Sequence, residues 1–369
     1  MHPALGVPWL TVADLDAMLH DLERLVSVES PSHDVDALSK SAEVVAQVIL
    51  ERTGVPATIV EGPDGPHVHW SGGGASRVLV LGHHDTVFPL GSLAQRPFRL
   101  ADGRAMGPGV FDMKGGIVQA IHAVAALDDA SGVEMLFTAD EEVGSDSSRA
   151  LLEERALACG NVLVLEPSAD GGAVKTGRKG TGTFEVVVRG RAAHAGLEPE
   201  KGVNALVEAA RQVLTIAGFG DAEAGTTVTP TVAHAGTADN VVPAEARIRV
   251  DVRVTGPDEK QRVETLMHGL SAVDPNAEID VRGEINRPPM PESASATLFP
   301  IASEVMPGLA GVAVGGGSDG NFTAALGVPT LDGLGAVGGG AHADHEYLLV
   351  EAMPERAALL EGILRRLLA

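Results

Sequence analysis

The sequence predicts an α/β fold with a central sheet, interrupted by a smaller α+β domain. Short, wholly apolar runs bounded by turn residues recur in the first half of the chain. Such runs are typical of strands buried on both faces of a parallel sheet. The middle of the chain changes to strands that alternate apolar and polar residues. With 369 residues, the chain is also long for a single hydrophobic core, so two domains are expected.

The elements before the interruption alternate between helices and strands. Apolar residues at helical spacing predict a first helix around 15–25 and a second over about 36–52. Three apolar runs then predict buried strands, and a helix over 116–127 separates the first two, so the order is β-α-β. These strands are predicted at 78–81, 135–137 and 162–165.

The middle segment is predicted in the order strand, helix, strand, strand, helix, strand. Apolar residues at 246–254 alternate with charged ones, which indicates a strand with one solvent-exposed face. The order β-α-β-β-α-β is that of ferredoxin-like domains. A further core strand at 328–331 and a C-terminal helix over 354–368 follow it. The predicted domains are a catalytic one, residues 1–178 and 288–369, and an inserted lid over 179–287.

Composition argues against two classes of partner. The chain has 27 Lys and Arg against 50 Asp and Glu, a net charge of −23, which repels phosphate backbones and anionic lipids. Neither nucleic-acid nor membrane partners are therefore expected. No apolar stretch reaches the roughly 18 residues that span a bilayer, and no secretory signal is visible. A single cysteine, Cys159, cannot form an internal disulfide, so we expect a cytoplasmic location.

Metal-capable side chains follow the predicted core strands or stand where a helix begins. In an open α/β sheet, ligands bind at the carboxyl ends of the strands, so these side chains are expected at one rim. Any one of them could be there by accident, but together they predict a site. In chain order they are His83, Asp85, Asp112, Glu141, Glu142, Glu166 and His342.

This mixture of side chains suits a pair of metal ions. Imidazole and carboxylate ligands favour zinc, with Co2+ or Mn2+ as substitutes. Two ions about 3.5–4 Å apart need a bridging carboxylate and terminal ligands on each side. Glu141 is adjacent to a ligand yet distinct from it, so it can take the proton from water, and Asp85 is placed to orient the imidazole of His83. The predicted ligands are His83, Asp112, Glu142, Glu166 and His342.

The motifs of this chain, in their order, resemble a known family. The family is that of the dinuclear-zinc metallopeptidases, which includes glutamate carboxypeptidase, acetylornithine deacetylase, succinyl-diaminopimelate desuccinylase and aminoacylase. The resemblance runs from about residue 15 to the end and is greatest to glutamate carboxypeptidase. The motifs are GHHDTVF at 82–88, GPGVFDMKGG at 107–116, DEEVGS at 140–145, LEP at 165–167, HAG at 194–196, NVVP at 240–243, DVR at 251–253, GGGSD at 315–319 and GGGAH at 338–342.

The resemblance implies a fold and a division of labour among the ligands. It implies a zinc-exopeptidase-like catalytic domain with a mixed central sheet, and an inserted ferredoxin-like lid domain. It also implies a homodimer in which the two subunits contact each other through this inserted domain. Two Zn2+ ions per subunit are implied. His83 and Glu166 would bind one ion, Glu142 and His342 the other, and Asp112 would bridge them.

The resemblance also implies groups that act on the substrate. His194 matches a histidine that reaches into the partner subunit's site and stabilises the oxyanion. Asn240 and Gly317 match substrate-binding positions, and Arg287 matches an arginine that holds the substrate's carboxylate. Arg178, near the domain junction, is either a surface charge or a ligand for an anionic substrate.

These expectations lead to one main functional hypothesis and two alternatives. The main hypothesis is a metal-dependent hydrolase that cuts an amide bond next to a free carboxylate, releasing C-terminal glutamate or a similar amino acid from a small peptide. The first alternative is a deacylase of N-acyl amino acids, of the aminoacylase, acetylornithine deacetylase or desuccinylase type. The second is an inactive metal-binding homologue, which predicts loss of a ligand or of the base, whereas this sequence keeps the full set.

Overall fold

The structure is a computed structural model and describes residues 14–369. These residues form two compact units. The first contains the described residues up to Gly177, together with Pro291–Val314 and Ser318–Ala369. The second contains Arg178–Met290 and Gly315–Gly317. Its two ends pair with each other, because the backbone N–H groups of Arg178 and Met290 each donate to the other's carbonyl at 2.9 Å.

Helices and strands alternate along most of the described chain. None of the helices in residues 14–369 combines the length and apolarity needed to cross a bilayer. The helices are α1 Leu15–Val26, α2 Val35–Thr53, α3 Ser92–Gln95, α4 Gly115–Ala125, α5 Arg149–Cys159, α6 Ala205–Ala217, α7 Pro257–His268, α8 Leu298–Val305, α9 Gly320–Ala325 and α10 Ala352–Leu368. The strands are β1 Thr58–Val60, β2 His67–Ser71, β3 Val78–His83, β4 Arg99–Ala101, β5 Arg104–Met106, β6 Val133–Thr138, β7 Val162–Val164, β8 Val174–Arg178, β9 Gly180–Arg189, β10 Thr227–Ala235, β11 Glu245–Val254, β12 Glu278–Arg287, β13 Gly311–Val314, β14 Thr330–Leu331, β15 Gly338–Gly339 and β16 Tyr347–Leu349.

A six-stranded mixed sheet is the centre of the first unit. Its order is β1-β2-β6-β3-β7-β14, in which β6, β3, β7 and β14 run parallel to one another. Strands β1 and β2 extend it with antiparallel pairings. The prediction of an α/β fold with a mixed central sheet is thus confirmed.

Strand β3 shows why the core runs are wholly apolar. All six of its residues are buried. Val78 and Val80 belong to the core that contains residues of α1, α2, α4 and α10, whereas Leu79 and Leu81 belong to the core that contains residues of α5 and α9. Because successive side chains point to opposite faces of a sheet, the part of this strand that is covered on both faces, residues 78–81, is apolar. Truncating such a leucine to alanine costs about 2–5 kcal/mol.

Local signals fix the ends of the helices that cover this sheet. The side chain of Asp34 accepts the backbone N–H of Ala37 at 3.0 Å and so caps the start of α2. Gly54 ends the same helix in the left-handed conformation, with φ +74°. These two residues place α2 within two residues of the predicted range.

Some elements of the first unit differ from the prediction. The last core strand is shorter than predicted, because only Thr330 and Leu331 pair with β7. Strands β1 and β2 are absent from the prediction, as is a small antiparallel sheet with the order β15-β16-β5-β4. A two-stranded pairing of β8 with β13 completes the strands of this unit.

The second unit is a four-stranded antiparallel sheet with two helices. Its strand order is β10-β11-β9-β12, and its chain order is β9-α6-β10-β11-α7-β12. This is the ferredoxin-like arrangement that the sequence predicts. Along β11, Ala246, Ile248 and Val250 are buried, and the residues between them are exposed or partly so.

Candidate active site

Three neighbouring parallel strands deliver side chains to one rim of the sheet. Strand β3 ends at His83. Strand β6 is followed by a short helical turn that carries Glu141 and Glu142. Glu166 comes two residues after the end of β7. Because parallel strands end at the same edge, these four residues lie close together.

Asp112 reaches the same place from an irregular turn, Val110–Lys114, that leads into α4, and Asp112 itself is not helical, with φ −114° and ψ 94°. Before this turn, Gly109 adopts the left-handed conformation with φ +71°, and a Cβ atom there would lie 2.6 Å from Cγ2 of Thr86. At the start of α4, a Cβ on Gly116 would lie 2.5 Å from the carbonyl oxygen of Leu165. The glycines of this motif therefore allow the backbone to pass close to the site.

His342 is three residues after the end of β15. Its side chain is 51% exposed, and its Nε2 atom lies 3.1 Å from Oε2 of Glu142 and 3.4 Å from Oδ2 of Asp112. The other oxygen of Asp112, Oδ1, lies 3.4 Å from Nε2 of His83. That same nitrogen is 3.5 Å from Oε1 of Glu166. Asp112 thus stands between two histidines, each of which has a further carboxylate beside it.

Ligand atoms of two overlapping groups lie within 4.8 Å of one another. One group is His83, Asp112 and Glu142, and the other is His83, Glu141 and Glu166. The structure therefore brings together all five predicted ligands and the predicted base. Their roles stay predictions at this point.

The carboxylates give this cluster a strong preference for positive charge. Hydrogen bonds with Asp112 and Glu142 raise the pKa of His342 to about 11. Burial opposes protonation of His83, yet the neighbouring carboxylates, Asp112 foremost, raise its pKa well above the usual range. Burial likewise opposes ionisation of Asp112, but His342 and His83 hold the pKa of this carboxyl well below its usual value.

The residues present fit a metal ion. Oδ1 of Asp112 and Oε1 of Glu142 are buried and accept no hydrogen bond from the described residues. A buried carboxylate oxygen that accepts no hydrogen bond is costly, and a coordinated cation would satisfy it. Imidazole nitrogen with carboxylate oxygen is the donor set that zinc takes in catalytic sites.

Asp85 is buried beneath this cluster and accepts several hydrogen bonds. Its Oδ1 lies 3.3 Å from Nδ1 of His83, although that nitrogen is nearer, at 3.0 Å, to the backbone oxygen of Asp85. The carboxylate also accepts the backbone N–H groups of Glu141 and Glu142, each at 3.2 Å, and the hydroxyl of Ser32 at 2.7 Å. His84, by contrast, faces away to Ser41 and to the carbonyl of Pro66.

The remaining predicted residues belong to the second unit. His194 is exposed, and its loop pairs with the segment of Asn240, because the N–H of Ala195 donates to the carbonyl of Asn240 at 2.9 Å. Arg178 is buried, and its guanidinium donates to the carbonyls of Gly316 and Gly317 at 3.1 Å. Arg287 is the last residue of β12 and pairs with Thr181.

Glu346 is a residue that touches the site and that the sequence prediction missed. Glu346 is buried and accepts backbone N–H bonds from the turn of Asp112. It follows His342 by four residues in an irregular segment. Neither periodicity nor a strand end marks this glutamate, so its only signal is its nearness to a predicted ligand.

Imidazole and carboxylate groups gathered at the carboxyl ends of parallel strands are typical of one class of protein, the metal-dependent enzymes. Sequence comparison identifies the family within it. The profile of Peptidase family M20/M25/M40 matches residues 79–366, and the chain belongs to this family. The predicted family resemblance is confirmed, and the chain is a metal-dependent hydrolase of peptide or amide bonds.

Individual relatives extend over most of the chain. It is 31% identical over 361 residues to carboxypeptidase G2 of Pseudomonas sp. (strain RS-16), and the match covers 92% of this chain and 86% of the relative. It is 31% identical over 326 residues to succinyl-diaminopimelate desuccinylase of Xanthomonas oryzae pv. oryzae (strain PXO99A), and this match covers 80% of this chain and 85% of the relative.

Solved structures show the same fold. A tripeptidase from Staphylococcus aureus has a TM-score of 0.77 at 19% identity, covering 97% of this chain and 99% of that one. An M20 family metallo-carboxypeptidase from Sulfolobus solfataricus has a TM-score of 0.77 at 16% identity, covering 94% and 98%.

Proposed function

We propose that this chain is a two-zinc carboxypeptidase that releases glutamate or a similar amino acid from the C-terminus of a small peptide or N-acyl compound. The observation that carries the proposal is the position of Asp112, whose two oxygens each lie 3.4 Å from a different histidine. One carboxylate shared between two such sets is what a pair of ions requires. The likeness to carboxypeptidase G2 supports the release of a C-terminal residue.

In this proposal the ligands divide between the two ions as the family resemblance implies. His83 and Glu166 would hold one ion, and Glu142 and His342 the other, with Asp112 shared. Zinc is favoured by the donor set, with Co2+ or Mn2+ as substitutes. When bound, the metal pair supplies Lewis acidity and lowers the pKa of a bound water.

Glu141 is the proposed general base and then acid. It is buried and close to His83 and Glu166, and Asp85 holds its backbone N–H. It takes a proton from the attacking water and returns it to the leaving nitrogen, so the amine departs neutral. A carboxylate held at this rim can make both transfers without leaving its place.

The proposed substrate contacts come from the second unit. Arg287 would bind the substrate's free carboxylate through its planar, bidentate guanidinium. Asn240 and Gly317 would contact the substrate backbone, and Arg178 would add positive charge beside Gly317. His194 would stabilise the oxyanion of the reacting carbonyl.

The runner-up function is deacylation of an N-acyl amino acid, supported by the likeness to desuccinylases. The two functions differ in the size of the group on the acyl side. A groove of about 880 Å³ in the first unit has Glu142 in its lining together with Val143, Val87 and Leu90, and these three apolar side chains are 40–57% exposed. A large apolar group would fit beside the proposed metal ligand Glu142. This favours a substrate whose acyl part is a peptide or an aromatic group over one with a small acyl group.

We also propose a homodimer formed through the second unit. Strand β10 is an edge strand whose residues are mostly exposed. Leu206 and Leu214 on α6 are 50% and 78% exposed. An open strand edge beside an exposed apolar helix face is a surface that a second copy would cover.

We also propose that the protein is located in the cytoplasm, which the single, buried cysteine supports.

The test is hydrolysis of a substrate panel by protein reconstituted with Zn2+, Co2+ or Mn2+. The panel contains N-acyl amino acids and dipeptides, and release of amine is measured. We expect preference for a C-terminal acidic residue, loss of activity with a chelator, and a Glu141→Ala variant that binds metal but is nearly inactive. Wild-type turnover by that variant would contradict the assigned mechanism, and preference for acetyl or succinyl substrates would favour the runner-up.

A further inference from the structure

Glu346 connects two segments that carry proposed metal ligands. Its side chain is buried, with the residue 2% exposed. Oε2 accepts the backbone N–H of Gly109, and Oε1 accepts those of Phe111 and Asp112, all at 2.9 Å. Glu346 is 234 residues from Asp112 in sequence, yet only four from His342.

These three N–H groups lie at or next to the start of the turn Val110–Lys114, where a cap is needed. The first N–H groups of such a turn have no carbonyl acceptor within the turn. The residue at the cap position is Gly109, which has no side chain to accept them. Glu346 therefore accepts these N–H groups from a distant part of the chain.

We propose that Glu346 is a positioning residue that fixes the shared carboxylate of Asp112 relative to His342. This inference rests on the ligand set of the proposed function. Asp112 can serve two ions only if both of its oxygens point correctly, and its backbone N–H is held directly by Glu346. Groups that orient metal ligands typically contribute about 10–100-fold to metal affinity.

The chain offers a matched control in Glu208. This glutamate is also buried, 1% exposed, and its carboxylate accepts the backbone N–H groups of Val273 and Asp274 at 2.9 and 3.1 Å. It belongs to the second unit and touches no proposed ligand among the contacts described. If burial and backbone capping alone mattered, substitution at either glutamate would have the same effect.

The decisive variant is Glu346→Gln, which keeps the size and one oxygen of the side chain. Its oxygen can still accept from Phe111 and Asp112, but its amide nitrogen would face the N–H of Gly109, which is also a donor. The measurement is the affinity of the metal-free full chain for Zn2+ by competition with a chromophoric chelator. Glu208→Gln is measured in parallel, with circular dichroism as the check on folding.

We expect Glu346→Gln to weaken zinc binding by about 10–100-fold, and Glu208→Gln to change it less than about twofold. Activity of Glu346→Gln should recover in excess zinc, because a positioning residue does not touch the substrate. Unchanged zinc affinity, or an equal loss in Glu208→Gln, would overturn the inference. If Glu346→Gln does not fold, zinc affinity is measured for Glu346→Asp instead. Its side chain is one methylene shorter and cannot reach the backbone N–H groups of the turn, so the same outcomes apply. Absence of zinc binding by the wild-type chain would instead refute the proposed function.

Discussion

Nδ1 of His83 lies 3.3 Å from Oδ1 of Asp85, while Nε2 of the same ring faces Asp112 and Glu166. The ring is therefore oriented on one side and presents its other nitrogen to the proposed metal site. Burial opposes ionisation of Asp85, but the hydrogen bond with His83 lowers the pKa of its carboxyl. The same carboxylate accepts the backbone N–H of Glu141. Asp85 therefore positions both the proposed metal ligand His83 and the proposed base Glu141.

The first prediction concerns Asp85→Asn. This change removes the charge and turns one acceptor into a donor that faces N–H or O–H groups. We expect metal affinity to fall by about 10–100-fold, and kcat to remain below wild type even in saturating metal, because the turn of Glu141 is loosened too. Equilibrium dialysis with zinc and steady-state kinetics measure the two effects. Ser32→Ala, which removes only one donor to Asp85, should have a much smaller effect on both, and wild-type kcat for Asp85→Asn would contradict the positioning of Glu141 by Asp85.

The second prediction concerns stability and pH through Asp21, a buried carboxylate remote from the site. Burial opposes its ionisation, but hydrogen bonds from His122 and Arg52 lower its pKa to about 2 from a usual 3.8. Because the pKa of Asp21 is lower in the folded state than in the unfolded state, its ionised carboxylate stabilises the fold at pH values above the unfolded-state pKa. This stabilisation is lost as the pH falls from about 4 towards 2. Asp21→Asn should therefore cost about 2 kcal/mol of unfolding free energy at pH 6–7, and less at pH 3.

Urea unfolding of wild type and Asp21→Asn at several pH values measures this difference. Asp129→Asn serves as the control, because Asp129 is exposed and its side chain bonds locally, to the backbone and side chain of Ser131. A penalty for Asp21→Asn that stays constant from pH 7 to pH 3 would show that the ionised carboxylate is not what stabilises the fold.

The sequence sufficed for the core strands because burial on both faces leaves an apolar run that can be read directly. It failed for β2, because HVHWS is interrupted by two histidines and is not a wholly apolar run. In the structure His67 is nevertheless buried, and His69 pairs with Glu134 at 2.9 Å. Polar residues that are paired inside a fold do not show their burial in the sequence.

The residues of the candidate site were likewise predicted where a local sequence pattern marks them and missed where only distant contacts do. His83, Glu142 and Glu166 were predicted because they follow strands, and strand ends are visible in the sequence. Glu346 was not, because its role depends on contacts with a turn more than two hundred residues away. The short strands β15 and β16 also escaped prediction, since two or three residues are too few to show a period.

The third prediction concerns the proposed homodimer. A double variant, Leu206→Asp with Leu214→Asp, places charge on the exposed apolar face of α6, and charge buried in an interface without a partner is strongly unfavourable. We expect wild type to sediment as a dimer at micromolar concentration and the double variant as a monomer. Leu157→Asp is the control, since Leu157 is 60% exposed on α5 of the first unit. A monomeric wild type, or a dimer that survives the double variant, would place the interface elsewhere or exclude it.

The last prediction tests whether His194 acts in the partner's site. His194 is exposed on the second unit, and its Nδ1 accepts the N–H groups of Gly196 and Leu197 at 3.1 Å, which leaves Nε2 directed outward. His194→Ala and Glu141→Gln should each be nearly inactive while retaining zinc. If each site takes Glu141 from one subunit and His194 from the other, a mixed dimer has one site with both groups intact. Mixing the two variants under conditions that exchange subunits should then restore about a quarter of wild-type activity, whereas a histidine acting in its own subunit restores none, because every site would lack one of the two groups.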